Sequence, residues 1–162
     1  MPDNHRQTTP RARLYSPAER ARRDATRWTL VQGVLAPVQF LAFAVSLILV
    51  LRCLVTGEGY GAATLSVVVK TALLYTIMVT GAIWEKKVFG RYLFAPAFFW
   101  EDVFSFVVIS LHTAYIYALW AGLLGPDALL VLALAAYTAY VINAGQFLWK
   151  LRMARRDAQV AA

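Results

Sequence analysis

The sequence predicts an all-α integral membrane protein, a four-helix up-and-down bundle preceded by a short cytoplasmic amphipathic helix. Three observations carry that expectation. Hydrophobic residues make up 60% of the 162 positions and charged residues only 15%, against about 25% charged in a soluble domain, and the mean hydropathy is +0.56. Four apolar runs, over 30–54, 62–84, 103–124 and 128–149, each supply the roughly 20 helical residues needed to cross a hydrocarbon core. Fourteen of the sixteen lysines and arginines lie before the first run, between the second and third, or after the fourth. A bias of that kind places those segments, and both termini, in the cytoplasm.

Taken in order, residues 1–15 have too little apolar content to fold and are expected to form a disordered basic tail. Ser16-Pro17-Ala18-Glu19 reads as a helix start, with serine as cap, proline in the first turn and glutamate closing a capping box. The helix it opens, over 16–29, carries Arg20, Arg22, Arg23 and Arg27 and suits an anionic lipid surface. In the first span Gln32 and Gln39 share a face, with Pro37 between them to bend the helix. TGEGYG and LGPD are short turns that join antiparallel neighbours. Lys70, inside the second span, is expected to snorkel to the interface. Tyr140 and Asn143 form a polar stripe on the fourth span, of the sort that joins membrane helices. A second cytoplasmic tail covers 153–162, so the membrane domain runs over 30–152.

Several function classes fall away. A single cysteine, Cys53, allows no disulfide framework within the chain, and no cleavable signal peptide is expected from the basic N-terminus. The net charge of +7 follows membrane topology rather than a nucleic-acid footprint, and no nucleic-acid module, phosphate loop, zinc spacing or flavin fingerprint occurs.

The chemistry gathers in Trp84 to Tyr115, WEKKVFGRYLFAPAFFWEDVFSFVVISLHTAY. Glu85, Glu101 and Asp102 flank an aromatic connection between spans, and His112 lies about mid-span in the third run. Ionisable groups near hydrocarbon are expensive and usually functional. Adjacent carboxyls repel and partial burial disfavours charge, so one is expected to keep its proton near neutral pH and act as a general acid. Against this stand helix capping at the start of the third span and, for Glu85, pairing with Lys86 or Lys87. At 100° per residue Glu101, Ser105, His112 and Tyr115 share one helical face, which must turn into the bundle. His112 is a candidate axial ligand for a metal tetrapyrrole, or a structural histidine bonded to Tyr or Asn of a neighbouring span. Trp84, Phe99, Trp100 and Tyr115 are candidates for holding a large flat apolar partner, although aromatics at these depths commonly serve as interfacial anchors.

Two blocks resemble a known family: RDATRWTLVQG, Arg23 to Gly33, and VVVKTALLYTIMVTGAIWEKKVFGRYLFAPAFFWEDVFSFVVISLHTAY, ending at Tyr115. They are similar to the vinyl-bacteriochlorophyllide hydratases, small membrane enzymes of bacteriochlorophyll synthesis, and the likeness runs from about Tyr15 to Arg152. The resemblance implies a bacterial inner or intracytoplasmic membrane and a hydro-lyase without cofactor or resident metal. Its substrate would be chlorophyllide a or 3-vinyl bacteriochlorophyllide, a Mg-chlorin, whose C3 vinyl group becomes 1-hydroxyethyl. On that reading Glu101, Glu85, Asp102 and His112 are the catalytic candidates, and His112 doubles as a possible axial ligand to the substrate magnesium. Partners expected besides substrate and lipid are a second copy of the chain or other enzymes of the pathway. The competing readings are a non-enzymatic pigment carrier or assembly subunit, which would need His112 but not the carboxylates, and a membrane-complex subunit, which would need neither.

Overall fold

Ser16 starts the first helix as its sequence predicts. Its hydroxyl accepts the Glu19 N–H at 3.2 Å, and the Glu19 carboxylate accepts the Ser16 N–H at 2.8 Å. The helix, α1 (Pro17–Ala25), ends sooner than the expected 16–29 element. Thr26 adopts extended backbone (φ −88°, ψ 134°) and its hydroxyl accepts the N–H of Trp28, which makes it the cap of a new helix. A β-branched residue able to cap is a natural break point between two helices.

The computed structural model describes residues 14–160, and among them all regular structure is helical. The expected basic tail therefore lies, up to residue 13, outside the described residues. The four long helices are α2 (Arg27–Thr56), α3 (Tyr60–Phe89), α4 (Phe99–Trp120) and α5 (Pro126–Val160). Each is long and apolar enough to cross a membrane. All but α4 overrun their apolar runs at both ends, because a helix continues into polar sequence until a residue stops it. At Gly57 (φ 73°) and Gly90 (φ 84°) the stop is a left-handed turn, a conformation glycine adopts without steric cost.

Neighbouring helices run antiparallel, and polar side chains fix their register. Gln32 donates to Thr80 (2.8 Å) and Ser46 meets Ser66 (2.7 Å) between α2 and α3, while Asn143 donates to Ser105 (2.9 Å) between α5 and α4. The two hairpins join chiefly through α2 and α5, where Phe43 packs on Tyr137 and Tyr140 with ring centroids 5.5 and 5.0 Å apart. The α3–α4 seam is thinner than either hairpin's own interface. Leu41, Ile48, Val55, Leu65, Val131 and Leu148 face outward and are exposed, as a lipid-facing surface requires and a water-facing one would not tolerate.

At the end of the bundle that carries α1, a second core joins Tyr15, Val88, Phe98 and Ala154 to Trp84, Phe89 and Phe147. The Arg22 Nε donates to the Val88 carbonyl at 2.7 Å and the Arg23 guanidinium lies 4.9 Å above the Tyr15 ring. Thus α1 is docked on the bundle at the same end as the α3–α4 connection.

Candidate functional site

Glu85, in the last turns of α3, and Asp102, in the first turns of α4, face one another across the thin seam. Both are buried and their carboxyls lie within hydrogen-bonding reach of each other. The 90–98 connection folds over them and donates two successive backbone amides: Phe94 N–H to Asp102 at 2.6 Å and Ala95 N–H to Glu85 at 3.3 Å. Neither carboxylate makes an ion pair among the described residues, so the pairing of Glu85 with Lys86 or Lys87 weighed from sequence is not made. Phe94 sits at φ 59°, a conformation a bulky side chain rarely adopts. The anchored amides on this connection account for its persistence there.

Glu101 belongs to a different neighbourhood. One residue along a helix is a rotation of about 100°, which turns Glu101 toward α5 while Asp102 turns toward α3. Its carboxylate forms an ion pair with Lys150 at 3.4 Å. The Lys150 ammonium also donates to the Ala97 carbonyl and lies 5.6 Å from the Phe98 ring centroid. Asn143 ties the same turn by donating to the Glu101 carbonyl (3.0 Å) and to Ser105.

Deeper in the bundle, His112 and Lys70 are both fully buried. The His112 Nδ1 lies 2.8 Å from the Val108 carbonyl. A carbonyl only accepts, so the proton sits on Nδ1 and Nε2 is left to accept from the Lys70 Nζ at 2.7 Å. The Lys70 nitrogen also lies 4.1 and 5.2 Å from the centroids of Tyr140 and Tyr137. Lys70 thus points into the bundle and does not snorkel to the interface as expected from sequence. An imidazole acceptor and two ring faces inside the bundle supply the partners that the interface would otherwise have offered.

The aromatic candidates divide. Phe99 and Trp100 are exposed on the outer surface, where Phe99 packs against Phe94 and Phe94 stacks on Phe106 (5.6 Å, 10° between planes). Those rings cover the outside of the seam next to Asp102. Trp84 lies in the α1-side cluster and donates its indole N–H to Thr29 at 2.9 Å. Tyr115 is fully buried near the opposite end of α4, in the core with Val50 and Leu130, far along the helix from the carboxyls. The helical face of Glu101, Ser105, His112 and Tyr115 is buried throughout, as expected.

Sequence reasoning did not single out Lys150, Phe94 or the inward direction of Lys70. Two signals were available. Lys150 stands seven residues after Asn143, hence on the same face of α5, and Lys70 shares its stripe with buried Ala63, Val67 and Leu74. For Phe94 no sequence signal marks the left-handed turn, since neither glycine nor asparagine stands there.

A family model described as 2-vinyl bacteriochlorophyllide hydratase matches residues 15–153. The chain is 72% identical to the 2-vinyl bacteriochlorophyllide hydratase of Cereibacter sphaeroides, over 94% of each chain. It is 70% identical to the protein of the same name in Rhodobacter capsulatus, over 96% of this chain and 90% of that one. No solved structure matches.

Proposed function

Since this chain belongs to the 2-vinyl bacteriochlorophyllide hydratase family, we propose that its Glu85–Asp102 pair carries the proton transfers of the hydration. The chain is a hydratase: it adds water to a vinyl group in bacteriochlorophyll biosynthesis. Protonation of the terminal vinyl carbon leaves a cation on the inner carbon, delocalised into the conjugated ring. Water then bonds to the inner carbon and releases one proton. The site must supply an acid, a negative field beside the cation, and a base.

One observation favours Glu85 and Asp102 for all three. They are two buried carboxyls in mutual reach with no cation paired to them. Carboxyls that close share one proton more readily than they carry two charges. The pair gives that proton to the vinyl group, holds two negative charges while the cation exists, and takes back a proton from the added water. It ends the turnover as it began. The rings of Phe94, Phe99 and Phe106 offer the macrocycle an apolar wall on the lipid side of the same seam, with Trp100 beside it. Because the Phe94 and Ala95 amides bond the carboxyls, the vinyl group reaches them once those two bonds release. Glu101, Trp84, His112 and Tyr115 then support the site rather than touch the reacting carbons.

Membranes holding the protein, incubated with chlorophyllide a or its 3-vinyl bacteriochlorin counterpart, are expected to yield a product heavier by one water. Failure to form it from either pigment would overturn the reading, and the relative rates identify the preferred substrate.

The cation bias supports placement in a bacterial inner membrane with both termini and the 90–98 connection in the cytoplasm. With Cys53 replaced by alanine, a membrane-impermeant thiol reagent added from the periplasmic side should label Glu58→Cys and spare Arg91→Cys. The opposite pattern would invert the orientation.

A further inference from the structure

The carboxyl pair lies at one edge of a surface that changes character over a few residues. Lys86 follows Glu85 directly, and the rotation of about 100° between them brings it to the outer side of α3. Its side chain turns back toward the connection, with Nζ 2.8 Å from the Gly90 carbonyl and 5.3 Å from the Tyr92 ring centroid. Gly90 turns the chain at φ 84° and Arg91 follows it, exposed. Neither cation has an acidic partner among the described residues. Three residues beyond Arg91 comes Phe94, stacked on Phe106 above the seam and anchored to Asp102. The order on this side is therefore two unpaired cations, an aromatic wall and the carboxyls.

A bacteriochlorophyllide, as the name states, is the free propionic acid, not yet esterified to a long-chain alcohol. It presents one flat apolar ring and one anion. We propose that Lys86 and Arg91 form the binding site for that propionate carboxylate, so that the ring hangs from the interface along Phe94 and Phe106 with its vinyl edge toward Glu85 and Asp102. The assignment rests on the hydration reading above and adds to it the residues that hold the substrate's free acid. Charge-assisted bonds from lysine and arginine suit a carboxylate, and an anion held at the interface fixes how deep the ring sits. Elsewhere on this end a basic cleft of about 430 Å³ is lined by Arg22, Arg27, Trp28 and Lys87. It does not serve the same purpose, because Lys87 is turned about 200° around α3 from Glu85, which puts the helix itself between that cleft and the carboxyls.

The test compares chlorophyllide with its propionate methyl ester, in neutral and in anionic lipid, using the wild type, Lys86→Ala/Arg91→Ala and Arg27→Ala. The wild type should show a KM for the ester about tenfold above that for the acid. The double variant should raise KM for the acid by about the same factor, leave the ester unchanged and keep kcat for both. Where alanine lowers kcat on the ester, glutamine at both positions replaces it. Arg27→Ala should treat acid and ester as the wild type does. Equal KM for acid and ester in the wild type would overturn the carboxylate site. So would a double variant that weakens both substrates alike, or only in anionic lipid, which would assign the two cations to lipid headgroups. Hydration of neither substrate by the wild type would instead refute the hydration reading itself.

Discussion

Glu85→Gln and Asp102→Asn are each expected to lower kcat by about a hundredfold or more, with KM for the chlorin changed little. The amides keep the shape of the acids, and their carbonyl oxygens still accept the N–H groups of Ala95 and Phe94, so the fold of the connection survives. What they remove is the proton that the proposed mechanism has the pair share. Combining the two substitutions should cost scarcely more than either alone, because two groups that hold one proton act as a unit. Glu101→Gln supplies the contrast. Its carboxylate is already paired with Lys150, so it should leave kcat near the wild-type value and lower thermal stability instead. Near-normal turnover in both Glu85→Gln and Asp102→Asn would remove the pair from the mechanism, and a collapse in Glu101→Gln alone would move the acid one residue back along α4.

That contrast also marks how far the sequence reading reached. The four spans were legible because length and apolarity are properties of a continuous run, and the structure changes only where each helix stops. Thr26 sets one such limit as a cap, and Gly57 and Gly90 set others as left-handed turns. The carboxyls were legible as a group, since acids flanking an aromatic connection stand out in any apolar chain. Their pairing was not. Glu101 and Asp102 are adjacent in sequence, yet α5 lies across from one and α3 from the other, and which helix lies opposite is a property of packing. Lys70 shows the same limit. Its stripe with Val67 and Leu74 points inward, but whether a lysine there finds partners depends on His112 and Tyr140 arriving from two other helices.

His112→Ala is the second substitution expected to have a large effect, and it should act on the fold. Both ring nitrogens are engaged, Nδ1 with Val108 and Nε2 with Lys70. Coordination of a chlorin magnesium, or abstraction of a proton from water, would first require Nε2 to leave the lysine. Truncation to alanine strands the Lys70 nitrogen inside the bundle, which should cost about 2–4 kcal/mol of stability and show as a lowered melting temperature in detergent. Lys70→Met in the same chain should recover much of that loss, because removing both members leaves no stranded group whereas removing one does. Chlorin bound to the His112→Ala protein should keep its wild-type absorption, and kcat measured below the melting transition should fall only a fewfold. The opposite set of results would return the imidazole to the substrate. If His112→Ala leaves the melting temperature alone, weakens binding of the magnesium chlorin more than of a magnesium-free one and shifts the pigment's absorption, then Nε2 exchanges Lys70 for the metal on binding. In that case the ring reaches far deeper between the helices than the aromatic wall at Phe94 implies.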